Sequence, residues 1–104
     1  MKEDLEFSQI RKEGICKLIA KGRIDGNTAD SLLSELEKAL TEGHKSIILN
    51  MAHVEYLSSI GIRVILKIYK QMAEEGGAFN IEHPSATVKN VLGMVALNEM
   101  LVSQ

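Results

Sequence analysis

The chain has no tryptophan, one cysteine, one proline, two tyrosines and two phenylalanines, and each scarcity closes off a class of function. A lone Cys16 cannot form an internal disulfide, and its setting in the apolar stretch GICKLIA marks a small buried hydrophobe rather than a nucleophile. With Phe7, Tyr56, Tyr69 and Phe79 as the only aromatics there is no base-stacking platform. A net charge of −2, with lysines scattered among glutamates, gives no basic stripe for a phosphate backbone. Nucleic acid is therefore not an expected partner. No apolar run approaches the roughly 20 residues that span a bilayer, so direct membrane insertion is not expected either. The opening MKEDLEFSQI is acidic and lacks an apolar h-region, so it does not read as a signal peptide, and a cytoplasmic location is expected.

Catalytic signatures are equally thin. No G-x-x-x-x-G-K-[ST], G-x-G-x-x-G or G-x-S-x-G pattern occurs. His44, His53 and His83 flank apolar strands without a second histidine or cysteine at ligand spacing, which fits exposed loop residues and no metal site. The acidic clusters EDLE, ELE and AEE lie at a strand margin and on polar helix faces, where solvation explains them. Neither an enzyme nor a bound cofactor is expected.

What is present is one domain of 104 residues, spanning 1–104, with 45% hydrophobic and 25% charged residues. Residues 5–11 and 15–21 read as strands joined by a turn at Glu13 and Gly14. DGNTADSLLSELEKALTEG sets Ala29, Leu32, Leu33, Leu36 and Leu40 on one helical face, with Asp25 and Asn27 as capping candidates and Gly43 as the stop. KSIILNM is apolar on both alternations, as a central strand covered on two sides would be. AHVEYL then leads to a helix from Ile62, with Ile62, Ile65, Leu66, Tyr69, Met72 and Ala73 at core spacing and Gly76-Gly77 as its end. AFNIEH is a further strand, Pro84 and Ser85 start a helix carrying Val88, Val91, Leu92 and Val95, and LNEMLV is an apolar tail. The order β-β-α-β-α-β-α contains two strand-helix-strand crossovers after a hairpin. It predicts an α/β fold with a mixed, mostly parallel sheet flanked by helices.

The most unusual stretch is EYLSSIGIRVILKIYKQM, where two serines and a glycine stand between a strand region and a long apolar helix. A serine there caps free N–H groups of the first turn. The same place suits a phosphate, which would meet those N–H groups and the positive end of the helix dipole. Along the helix Arg63, Lys67, Lys70 and Glu74 share a polar side, while Val64 and Ile68 fall on the border and widen the apolar arc. Either a neighbouring helix or the sheet edge covers that border, or it is a partner-binding patch beside the serines.

VEYLSSIGIRVILKIYKQM, with GRID upstream and HPSATVKNVLGMVALNEML downstream, resembles the STAS domain of bacterial anti-sigma factor antagonists over nearly the whole chain. In that family the turn usually reads Asp-Ser-Ser/Thr-Gly followed by Leu or Ile. Setting Gly61 on the family glycine places Ser59 on the phosphorylated serine, Ser58 on the aspartate and Ile60 on the second hydroxyl residue. Gly22 and Asp25 fall on the family's Gly-x-x-Asp after the second strand. The chain departs from the pattern at Ser58, where the acidic residue is missing. The resemblance implies a single STAS-like domain that binds an anti-sigma factor, itself a serine kinase, until phosphorylation of Ser59 releases it and a serine phosphatase restores binding. The expected contact surface joins these motif positions to the exposed border of the following helix and comprises Ser58, Ser59, Ile60, Gly61, Arg63, Val64, Lys67, Ile68, Gly22 and Asp25. Val64 and Ile68 would be apolar contacts, and Arg63 and Lys67 salt-bridge donors. The other reading of the same fold is a scaffold subunit of a membrane-lipid or transporter complex with no phosphoswitch.

Overall fold

The computed structural model describes residues 4–102. Residues 1–3 and 103–104, the two ends of the expected 1–104 domain and the start of the acidic opening, lie outside the described residues. Among the described residues four strands and four helices follow in the order β1 (Leu5–Lys12), β2 (Ile15–Ile24), α1 (Ala29–Thr41), β3 (Ser46–Leu57), α2 (Ser59–Glu74), β4 (Ala78–Glu82), α3 (Ala86–Met94) and α4 (Asn98–Leu101). The sheet order is β1-β2-β3-β4, with β1 antiparallel to β2 and both later pairings parallel, as the hairpin and crossovers require. Glu13 and Gly14 close the hairpin with φ of 42° and 81°, the paired positive values of a two-residue turn matched to strand twist.

The two crossovers run the same way along the sheet, so α1 and α2 lie side by side on one face. That face carries Cys16, Leu18, Ala20, Ile47, Leu49, Met51, Phe79 and Ile81, all buried. Lys17, Ile48 and Asn80 are aligned on the other face, which is only half-covered. Overall dimensions of 35 × 30 × 20 Å fit one helical layer on one sheet. The tail is more structured than the expected apolar segment: α4 is a short helix, and Val102 forms a bridge to Ile81 on the outer side of β4.

β2, β3 and α2 each extend three residues or more beyond what their sequence pattern predicts. β2 extends through Gly22 to Ile24 and β3 through AHVEYL to Leu57, past register shifts at Ile19/Lys21 and Gly22/Arg23. Each extra residue sits on β3, which spaces its buried residues Met51, Val54 and Leu57 three apart instead of two. α2 starts at Ser59, three residues before the expected Ile62. The N-cap of α1 is Thr28, not Asp25 or Asn27. Its buried hydroxyl donates to the Arg23 carbonyl at 2.7 Å and accepts from the Asp25 N–H at 2.9 Å, so it ties the end of β2 to the helix.

Candidate functional site

The carboxyl ends of the parallel strands β2 and β3 open into two loops, Asp25–Thr28 and the Ser58 turn, and backbone bonding joins them. The Ser58 N–H donates to the Ile24 carbonyl at 2.9 Å. Asp25 folds its own loop: Oδ1 accepts from the Asn27 N–H at 2.9 Å, and its carbonyl accepts from Ala29. Gly26 lies beneath Ile60, where a Cβ would be 3.7 Å from the isoleucine Cδ1. Gly22 fits the strand end for a different reason. Its φ of 123° and the Asp4 carbonyl pressed against its Cα leave no place for a side chain. Gly22 and Asp25 thus shape the loop beside the serines.

Ser58 and Ser59 play different parts in the helix start. Ser58 is the N-cap, extended at φ −89° and ψ 170°, with Oγ accepting from the Gly61 N–H at 3.4 Å and its carbonyl accepting from Ile62. Ser59 is the first helical residue, exposed, and among the described residues its hydroxyl carries no hydrogen bond. The first turn of α2 holds no acidic side chain, so its dipole end is uncompensated. Ile60 is 44% exposed beside Ser59. Gly61 is buried instead, since a Cβ there would stand 2.5 Å from Ile24 Cγ2 and 2.7 Å from Leu57 Cδ1. It lets the helix start sit on the ends of β2 and β3 and offers nothing to a partner.

Two further expected contact residues require correction. Val64 and Ile68 are buried at 8% and 0% exposure, inside the core cluster. α1 packs beside α2 and extends the buried arc past the stripe that the sheet alone would cover, so neither side chain forms an exposed apolar border. Ala73, placed in the core by spacing, is exposed for the same reason, the buried face being turned toward α1. Arg63 is exposed four residues after Ser59 on the same helix face. Lys67 is exposed one turn further on but already pairs with Glu37 of α1 at 3.7 Å.

The surface around the serines includes a pair that sequence spacing did not single out. Arg23 lies over the Tyr56 ring at 4.5 Å and reaches Asp25 Oδ2 with its Nε at 3.7 Å. Tyr56 is 41% exposed. Both residues fall on the outward alternation of strands whose ends looked like loops, and the GRID stretch was the available signal. The histidines do not converge: His44 Nδ1 is 3.0 Å from the Ala39 carbonyl, while His53 and His83 are exposed. Among the described residues no three of His, Cys, Asp or Glu gather as a metal-binding group. Cys16 is fully buried, and loss of hydration pushes its thiol pKa up against the opposing pull of Arg11. Among the described residues no helix is long and apolar enough to cross a membrane.

Solved structures share this architecture. The anti-sigma factor antagonist SpoIIAA in its unphosphorylated form superposes with a TM-score of 0.81 at 18% identity, over 95% of this chain and 88% of that one. SpoIIAA of Bacillus in the phosphorylated form gives 0.75 at 17% identity, over 95% and 91%. An anti-sigma factor antagonist from Mycobacterium paratuberculosis gives 0.84 at 16% identity, over 93% and 82%. In sequence, an anti-sigma F factor antagonist of Paenibacillus polymyxa is 22% identical over 99 residues, 94% of this chain and 85% of the relative. BtrV of Bordetella bronchiseptica, whose name marks it provisionally as an anti-sigma factor antagonist, is 28% identical over 73 residues, 70% of this chain but only 63% of the relative. Residues 7–103 match the STAS domain model, nearly the whole of the chain, and the chain belongs to the STAS domain family.

Proposed function

We propose that the protein is an anti-sigma factor antagonist, a cytoplasmic binding module that holds an anti-sigma factor with serine kinase activity while Ser59 is unmodified and releases it when Ser59 is phosphorylated. A serine phosphatase would reset it. The observation that carries this reading is the division of labour at the turn: Ser58 is engaged as the cap, whereas Ser59 is exposed with an unengaged hydroxyl at an uncompensated helix N-terminus. Relatives that are named anti-sigma factor antagonists, in sequence and in structure, support it. The contact surface is Ser58, Ser59, Ile60, Arg63 and Lys67 of the turn and helix, with the adjoining Gly22–Asp25 strand end and Tyr56 at its rim. A phosphate adds about −1.5 to −2 charges at pH 7. Burying it against a partner without pairing costs several kcal/mol, more than the roughly 1.4 kcal/mol of a tenfold affinity loss. Blocking therefore needs no refolding of the domain.

Calorimetric titration of the anti-sigma factor captured from the native cytoplasm tests the switch. Wild type and Ser59→Ala should bind alike and Ser59→Asp more weakly, with its melting curve unchanged; equal binding by Ser59→Asp and by the phosphorylated protein would refute the block. The missing acidic residue at Ser58 is what favours a STAS scaffold in a membrane-lipid or transporter complex instead. Phosphopeptide mapping after incubation with the captured kinase separates the two, because the scaffold reading requires Ser59 to stay unmodified.

A further inference from the structure

β1 is the outer strand of the sheet, and among the described residues half of its backbone polar groups have no strand beside them. The Arg23 N–H donates to the Asp4 carbonyl at 2.9 Å, and pairing continues without a break from Leu5↔Gly22 to Lys12↔Ile15. In an antiparallel ladder the bonded residues alternate, so Glu6, Ser8, Ile10 and Lys12 bond to β2. The N–H and C=O groups of Leu5, Phe7, Gln9 and Arg11 point away from the sheet, and among the described residues no backbone group meets them. Proteins guard such edges with proline, a bulge or a lysine in mid-strand. LEFSQIRK has no proline, its register with β2 is unbroken, and its cations come only at its end. Ile10, in its second half, is 56% exposed on the open face of the sheet.

We infer that β1 pairs antiparallel with β1 of a second copy of this chain, with the two-fold axis at Gln9. Outward groups meet outward groups only when odd-numbered residues face odd-numbered ones. Among those registers, the axis at Gln9 sets Glu6 directly against Lys12 of the second copy, twice per dimer, on the face where non-hydrogen-bonded side chains come closest. It also sets Phe7 against Arg11, and brings Ile10 diagonal to its own copy. Moving the axis to Ser8 would oppose Glu6 to Ile10 and Leu5 to Arg11, leaving Lys12 only Asp4. α1 lies over β2 and β3, which keeps the approach to β1 open. The axis reverses strand direction, so the two serine turns stand at opposite ends of one continuous sheet and both stay free for a partner.

Sedimentation equilibrium on the whole chain tests this. Edge pairing belongs with small interfaces, under about 1,200 Å² in total, so association is expected below about 1 mM rather than at nanomolar concentration. The weight-average mass should rise from 11.5 kDa toward twice that value across the range. Glu6→Lys and Lys12→Glu should each weaken association about tenfold, because two attractive pairs become repulsive. An equimolar mixture of the two variants should associate at least as well as wild type, since every pair is then complementary. Gln9→Pro should abolish association while the chain still folds, because it removes an N–H that β2 does not use and otherwise loses only the exposed Arg11 Nε–Gln9 Oε1 bond. A mass of 11.5 kDa up to 1 mM overturns the inference. So does association of Gln9→Pro at wild-type strength, or a mixture no better than either charge variant alone.

Discussion

Ser58 and Ser59 are adjacent in sequence, yet one turns its hydroxyl back into the helix start and the other turns it out to solvent, because the N-cap is extended and the next residue is already helical. Their stability costs should differ accordingly. Ser58→Ala loses the bond to the Gly61 N–H, long at 3.4 Å, and should lower stability by about 0.5–1 kcal/mol in urea denaturation. Ser59→Ala should cost less, and a larger loss at Ser59 would place the cap on the wrong residue. The two glycines beside the site should separate in the same experiment. At Gly61 a Cβ meets Ile24 and Leu57 side chains, so Gly61→Ala should cost about 1–3 kcal/mol through overpacking. At Gly22 the obstacle is the Asp4 backbone and φ is positive, so nothing can rotate aside, and Gly22→Ala should cost about 3 kcal/mol or more. Equal losses would mean that the Gly22 strand end yields more easily than its geometry implies.

At the scale of elements, a helix's own sequence gives the width of its apolar arc, but its neighbours decide which part is covered. For α2 the spacing of Ile65 and Met72 was legible as core, whereas Val64 and Ile68 needed α1 to be in place before their burial could be read. Ile68→Ala should therefore lower unfolding free energy by about 2–4 kcal/mol, the range for truncating a fully buried isoleucine. At protein concentrations where the variant is fully folded, partner affinity should match wild type. A weakened complex without lost stability would instead return Ile68 to the contact surface. Arg63→Ala should do the reverse, weakening binding with stability changed by less than about 0.5 kcal/mol. The hairpin, both crossovers and the serine turn were readable because local spacing fixes them. The second half of β3 was not, because its bulges replace the two-residue alternation by Met51, Val54 and Leu57 at intervals of three. Thr28 was hidden for a related reason, since its partner, the Arg23 carbonyl, belongs to a strand end that looked like loop.

Across the whole molecule, one helical layer on one sheet leaves a single core, and Cys16 stands within it between β1 and β3. Cys16 points from the start of β2 into the core between the sheet and the helices, so a reagent reaches its sulfur only when that packing opens. Burial also disfavours the thiolate, the reactive form, which removes the second route to native-state labelling. Thiol modification at pH 8 should thus be slow in the native protein. Its rate should rise with urea on the same slope as equilibrium unfolding, as it does when modification requires global opening. Rapid labelling without denaturant would show instead that the packing above Cys16 opens locally, uncoupled from unfolding of the rest of the core. The pH dependence has a defined sign. The folded thiol titrates above its ordinary value of 9.0, so the unfolded chain gives up its proton first. Stability from this group is complete below that value and is lost as pH rises through it, with the loss ending above the folded pKa. Between pH 8 and pH 10 the urea midpoint of wild type should therefore fall further than that of Cys16→Ala, which starts lower because the core is underfilled but has no thiol to titrate. Parallel declines in the two proteins would assign the alkaline loss to other groups and leave the burial of Cys16 without a measurable coupling to folding.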